Sequence, residues 1–307
     1  MMLAALLIAL CGLGLRTQQA QTVTIQTLDL APNTFDDAYV GCSKEMEEEA
    51  VHLLEEEKAK NSLLRESWET AQKAWERRPP DPSLPPGFKT QHGTAIIVYT
   101  SSSKTLYEKL NQAVRTGGDS RESYMQHFPF KALHFYLTRA LQLLRGSGKC
   151  SREPGQVVFR GVKDTHFEPK GLRDSVRLGQ FASSSLNESV ARRFGNATFF
   201  SLRTCFGVPI YSLSVFPEEL EVLIPPYEVF EVASFSQDGT RHLVTLSSKN
   251  QTCSYFNCAY LGENKSQSCE PLPRGQADSF YKGAFSLISW KTLLLVSWGF
   301  QLLGAGL

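Results

Sequence analysis

Charge of one sign is in short supply in this chain: 307 residues carry a formal net charge of only +1 at neutral pH. That balance excludes the long-range attraction on which nucleic-acid binding rests, and nucleic acid is not an expected partner. No Walker loop, no His-Glu-x-x-His and no Gly-x-Ser-x-Gly elbow occurs, so three common catalytic signatures are absent. Gly-x-Gly-x-x-Gly is also missing; this speaks against a Rossmann site, though not against dinucleotide binding on another fold. No histidine stands at ligand spacing near a cysteine, which weakens any zinc reading. Repeats and low-complexity tracts are lacking, and the apolar and charged fractions are those of an ordinary globular protein.

Apolar runs of bilayer length are missing too. Residues 1–15 are apolar but short, and Arg16-Thr17-Gln18-Gln19-Ala20 follows. This pattern is a cleavable secretory signal, with cleavage expected near Ala20. Residues 284–307 are apolar but broken by Lys291, which leaves 292–307 too short to span comfortably. Small residues at Ala277-Asp278-Ser279, a mildly polar spacer and an apolar end resemble a lipid-anchor attachment signal. A weak tail on a secreted protein is the alternative.

Losing Cys11 with the signal leaves Cys42, Cys150, Cys205, Cys253, Cys258 and Cys269. An even set in an exported chain reads as disulfides. Asn-x-Ser/Thr sequons at Asn187, Asn196, Asn250 and Asn264 agree with the secretory route.

Residues 21–42 read as extended and irregular. Residues 44–77 are rich in Glu, Leu, Lys and Ala and read as one or two amphipathic helices, the acidic run being a solvated face. Prolines between Pro79 and Pro86 make a loop. Residues 94–99 read as a β-branched strand. Leu106, Leu110 and Val114 mark a short helix. Pro129 opens a longer one, with Leu133, Leu137, Leu141 and Leu144 buried and His134 a core histidine. After Cys150 short strands dominate, at 156–162, 175–181, 199–205, 209–216, 220–224, 227–235 and 242–247, with one helix at 186–194. Helices first and strands later give an α+β fold, the helical region packed on a mixed or antiparallel sheet. The expected division is a signal at 1–20, an extended and helical region at 21–92, a core at 93–262 and a tail at 263–307.

Three segments could carry chemistry. Glu219-Leu220-Glu221 precedes an apolar strand, and in extended backbone its two carboxylates share a face. Paired acids can divide the stabilisation of a developing cation from the handling of a proton; a solvated strand face is the bland reading. A true glycosidase is disfavoured, because its acids flank the bond from opposite sides. Arg160 lies inside the apolar strand 157–162, where a guanidinium needs an anionic partner. It is either a structural ion pair or a fork for phosphate or carboxylate, and Gly161 beside it would admit a ligand closely. Ser185 with Glu188 fits a capping box, with Leu186, Val190 and Phe194 as the buried stripe. Ser183 has no such explanation and could meet a ligand or a carboxylate.

In order along the chain, Phe159-Arg160-Gly161, Phe181-Ala182-Ser183-Ser184-Ser185-Leu186 and Glu219-Leu220-Glu221-Val222-Leu223-Ile224-Pro225-Pro226 resemble the Arg–Ser–Glu signature of the ecto-ADP-ribosyltransferases. The resemblance covers nearly the whole chain and includes Thr34-Phe35-Asp36-Asp37 with Cys42, and residues 127–135. It implies the fold of that family and transfer of ADP-ribose from NAD to arginine side chains of extracellular or surface proteins. NAD is then a co-substrate and no cofactor is permanently bound. By motif, Glu221 matches the catalytic glutamate, Glu219 the acid that goes with arginine acceptors, Arg160 the NAD-binding arginine and Ser183 the serine that steadies glutamate and ribose. Tyr99, Gln180 and Ser214 fall at positions resembling further NAD contacts. Bridges Cys42–Cys258 and Cys150–Cys205 follow by analogy; whether Cys253 pairs with Cys269 is left open. The resemblance leaves open an NAD glycohydrolase, in which water takes the ribose, and a catalytically silent surface binding protein.

Overall fold

Residues 23–101, 105–146, 150 and 155–273 of the computed structural model are described; the expected signal and the apolar tail lie outside them. A strand, β1 (Thr24–Leu28), precedes six helices: α1 (Ser43–Lys60), α2 (Ser62–Glu76), α3 (Thr90–Thr100), α4 (Leu106–Thr116), α5 (Arg121–His127) and α6 (Lys131–Arg145). The Leu-and-Glu-rich stretch is two helices because Asn61 leaves helical backbone between them. Its side chain caps α2 by accepting from the Leu64 amide at 3.1 Å, the role for which Asn is favoured. In α6, Leu133, Leu137 and Leu141 are buried as the spacing required, and His134 is a core residue.

The expected strand at 94–99 is a helix. Every residue from His92 to Tyr99 in α3 is buried, because α2, α4 and α6 pack around it. A helix buried on all sides has no polar face, so its period leaves no trace in the sequence. What remains visible is Thr94-Ala95-Ile96-Ile97-Val98-Tyr99, a run with strand composition.

The second half holds β2 (Gln156–Val162), β3 (Thr165–Pro169), β4 (Ser175–Val176), β5 (Ala182–Ser185), α7 (Glu188–Arg193), β6 (Thr198–Thr204), β7 (Val208–Pro209), β8 (Glu221–Ile224), β9 (Glu228–Asp238), β10 (Arg241–Ser254) and β11 (Glu270–Pro271). The main sheet runs β4-β9-β10-β6-β2-β5-β8-β7, with β11 on β10. It is mixed: β10 and β6 are parallel and the other pairs antiparallel. β1 and β3 form a separate parallel pair. The expected strand at 175–181 shortens to Ser175–Val176, and of that at 209–216 only Pro209 is in a strand, the chain turning after it.

Both sheet faces are covered. Phe181, Leu223 and Val208 join the helical core, while Val158, Ala182, Val222 and Leu246 belong to a second core. The segment before α1 is clasped to the far end of the chain. Asp36, fully buried, pairs with Arg177 and accepts from the Tyr255 and Phe256 amides at 3.0 Å. Its neighbour Asp37 accepts from the Cys258 amide at 3.0 Å and the Ala259 amide at 2.8 Å. Cys42–Cys258 seals this clasp, and Cys150–Cys205 and Cys253–Cys269 are the other bridges.

Candidate active site

Arg160, Ser183 and Glu221 stand on three adjacent strands, β2, β5 and β8. The register places Phe159 opposite Ser185, and Ser185 opposite Glu221. That couple is where β2 and β5 pair, and Arg160 comes one residue later. Its guanidinium reaches across and donates to the Ser183 carbonyl at 2.7 Å. Ser183 also faces Glu221, and its side chain acts to lower the pKa of that carboxyl.

Glu221 is 5 % exposed. Burial pushes its carboxyl up to about 7, against the pull of the Ser183 side chain; the Glu219 charge adds to the rise and the Arg160 charge opposes it. A buried carboxyl shifted this far beside a specific charged partner marks a candidate functional site. Burial lowers the pKa of Arg160, and Arg115 nearby does the same, while Tyr99 and Glu221 counter. No carboxylate among the described residues forms an ion pair with Arg160 within 4.0 Å. Of its two readings, the structural ion pair is therefore the one left unfilled.

The two acids do not share a straight strand. Pro217–Glu219 is a turn of 3₁₀ helix, Leu220 is left-handed at φ 49°, and Glu221 opens β8. The turn is tied down from β5: Ser185 Oγ donates to the Glu219 carbonyl at 2.7 Å, and the Leu186 amide donates to the Leu220 carbonyl at 3.2 Å. Glu219 is half-buried, and its carboxyl is raised by burial and then by Glu218, with Arg193 opposing. Leu220 is 36 % exposed at the tip.

Ser185 is consequently not the helix cap. Asn187 caps α7, its side chain accepting from the Ser189 amide at 2.9 Å, and Phe194 is exposed rather than part of a buried stripe. The space at Gly161 is also taken. A Cβ there would lie 2.3 Å from the Ala191 carbonyl and 2.5 Å from that of Gly195, so this glycine admits the end of α7, not a ligand.

Tyr99 is buried, and its hydroxyl donates to the Phe181 carbonyl at 3.0 Å. Gln180 accepts from Arg115 through its side-chain oxygen. Ser214 is buried, its hydroxyl accepting from the Phe216 amide at 3.0 Å and its carbonyl held by Arg78 at 3.0 Å. Tyr99 and Gln180 thus border the Arg160–Ser183–Glu221 cluster, with Ser214 on the segment that leads to Glu219. Arg115 and Asn111, both on α4, reach the same border and were not foreseen. On sequence they are ordinary helix residues, and only their four-residue spacing sets them on one face. A recess of about 240 Å³ bordered by Arg115 and Gly179 includes none of Arg160, Ser183 and Glu221.

The geometry defines a class. The family model described as NAD:arginine ADP-ribosyltransferase matches residues 28–254, and the chain belongs to that family. An Ecto-ADP-ribosyltransferase 5 from Bos taurus is 72% identical over 298 residues, which is 96% of this chain and 94% of that protein. A GPI-linked NAD(P)(+)--arginine ADP-ribosyltransferase 1 from Mus musculus is 43% identical, covering 78% and 75%. The crystal structure of the eucaryotic mono-ADP-ribosyltransferase ART2.2 superposes with a TM-score of 0.65 at 42% identity, over 76% of this chain and 99% of that one. A mutant of ART2.2 solved in complex with NAD matches equally.

Proposed function

We propose that this chain transfers ADP-ribose from NAD to arginine side chains of proteins outside the cell and releases nicotinamide. One observation carries the site assignment: adjacent β2, β5 and β8 bring a guanidinium with no carboxylate ion pair among the described residues, a serine and a buried glutamate into one cluster. The N-glycosidic bond of NAD breaks, its electron pair leaves with nicotinamide, and cationic character develops on the ribose. Ionised Glu221 stabilises that charge, and Ser183 holds its carboxylate in place. Arg160 grips the dinucleotide. Glu219, one turn before, orients the acceptor guanidinium and takes its proton as the new carbon–nitrogen bond forms. NAD is consumed, and no permanent cofactor takes part.

An extracellular setting is supported by the signal-like N-terminus, three disulfides and sequons. Asn187, Asn196 and Asn264 are exposed. A glycan on Asn187 has to point away from the cleft. Within the expected tail at 263–307, beyond the proposed core at 93–262, Glu270–Pro271 still pair with β10; the apolar end at 284–307 would attach the protein to the membrane.

Purified protein incubated with labelled NAD and agmatine tests the reading. Wild type should form the agmatine adduct; free ADP-ribose without adduct would make the protein an NAD glycohydrolase, and neither product a silent binder. Glu221→Ala should lower both activities by about 100- to 1,000-fold. Glu219→Gln should cost transfer about tenfold or more while sparing hydrolysis; equal losses would remove its assigned role.

A further inference from the structure

We propose that Asn111 on α4 is a positioning residue for the reaction: it acts through the Tyr99 hydroxyl on the backbone of Phe181, and so sets where Ser183 meets Glu221. The proposal rests on the reading that Ser183 and Glu221 do the chemistry.

The need comes from the topology. β5 is four residues long, and on the β2 side it pairs through Phe159 and Ser185. Its lead-in, Gly179-Gln180-Phe181, belongs to no strand, so side chains take over the work of a ladder. Thr34 Oγ1 donates to the Gly179 carbonyl at 3.0 Å. Arg115 donates to the Gln180 side chain, and the Tyr99 hydroxyl donates to the Phe181 carbonyl at 3.0 Å. Gly179 lies at φ 64°, and a Cβ there would strike Ala31 at 2.7 Å and Thr34 Oγ1 at 2.8 Å, so this entry has one narrow conformation. Two residues past Phe181, the Ser183 carbonyl receives Arg160 at 2.7 Å.

Tyr99 has one hydroxyl proton, and it is spent on Phe181. What aims that hydroxyl is a donor on its oxygen: Asn111 Nδ2, at 3.2 Å. Asn111 is 7 % exposed and Tyr99 4 %, so water does not replace this bond cheaply. In a low-dielectric chain each bond polarises the next. Asn111 and Arg115 are one helical turn apart, so a single face of α4 holds both Gln180 and, through Tyr99, Phe181. The charges of Glu221 and Arg160 act on Tyr99, so the brace lies near the cluster.

The test uses Asn111→Leu, Tyr99→Phe and the double variant of the full secreted chain, with kcat and KM measured per folded molecule from near-UV circular dichroism. Asn111→Leu should lower kcat about tenfold with KM for NAD within about twofold, because displacement rather than binding is at stake. The acid limb of its pH–rate profile should move to higher pH, since a slackened Ser183–Glu221 contact favours the carboxylate less. Tyr99→Phe should reproduce both effects, and the double variant should be no worse than the worse single, as for two groups on one chain. Should Asn111→Leu fail to fold, Tyr99→Phe, which removes one oxygen, carries the test. Unchanged kcat and acid limb per folded molecule, or fully additive losses, would overturn the proposal. So would a raised KM for NAD with kcat intact, which would make Tyr99 a binding group. If Glu221→Ala keeps activity, the catalytic assignment itself fails, whatever Asn111 does.

Discussion

In the proposed reaction Glu221 is charged as the ribose becomes cationic, yet it is buried. Its carboxyl titrates near 7, so in the free protein a large fraction is protonated and inactive at pH 6. kcat/KM for NAD should rise between pH 6 and 8 and level off, the acid limb reporting Glu221. The Ser183 side chain favours the ionised form and so pulls the value down. Ser183→Ala should move the limb to higher pH as well as lower its plateau, measured with agmatine as acceptor. A limb unmoved by that change would mean another group titrates. The residues of this site were legible in part. Arg160 was conspicuous because a cation inside an apolar strand needs a reason, and Ser183 because no cap explained it. The turn at Leu220 was not legible, because a left-handed leucine carries none of the glycine or asparagine signal that marks such backbone. Asn111 was hidden for a different reason: its partner, Tyr99, was expected on a strand.

Among the elements, α7 lies hard against β2. The Ala191 and Gly195 carbonyls stand where a Cβ on Gly161 would be, and backbone at that range cannot swing aside. Gly161→Ala should cost about 1–3 kcal/mol by overpacking, read as a lowered urea midpoint. It should also reduce activity, because β2 carries Arg160 and α7 carries Arg193, whose charges act on Glu221 and Glu219. Amphipathic elements with one wet face were readable, as in α2 and α6. Fully buried α3 was not, since periodicity needs two unlike faces. Strand order was beyond reach for another reason. β2, β5 and β8 are neighbours in space but not in sequence, and only the resemblance to a family supplied their convergence.

At the level of the whole molecule, buried carboxylates should make stability fall as pH rises. Burial lifts Asp37 to about 6 and Glu57 to about 7, in each case against backbone hydrogen bonds. Below an unfolded carboxyl's pKa of about 4 both states are protonated and the burial penalty is absent. Between that pH and the raised folded value the unfolded chain ionises first and is favoured. The melting temperature should therefore be higher at pH 5 than at pH 8, and Glu57→Gln should flatten the slope. A wild-type melting temperature that climbs over that interval would contradict this assignment. The clasp adds a separate sensitivity: Asp36→Ala strands Arg177 uncompensated in the core and should cost about 3–5 kcal/mol.

Cys42–Cys258 has a topological consequence. The bond closes a covalent hoop that contains α1 through β10 and with them Arg160, Ser183, Glu219 and Glu221. A protease that nicks the exposed hairpin tip at Gly239 would open the hoop without releasing either piece. The cut protein should migrate as one band on a non-reducing gel, separate into two once reductant is added, and keep its transferase activity until then.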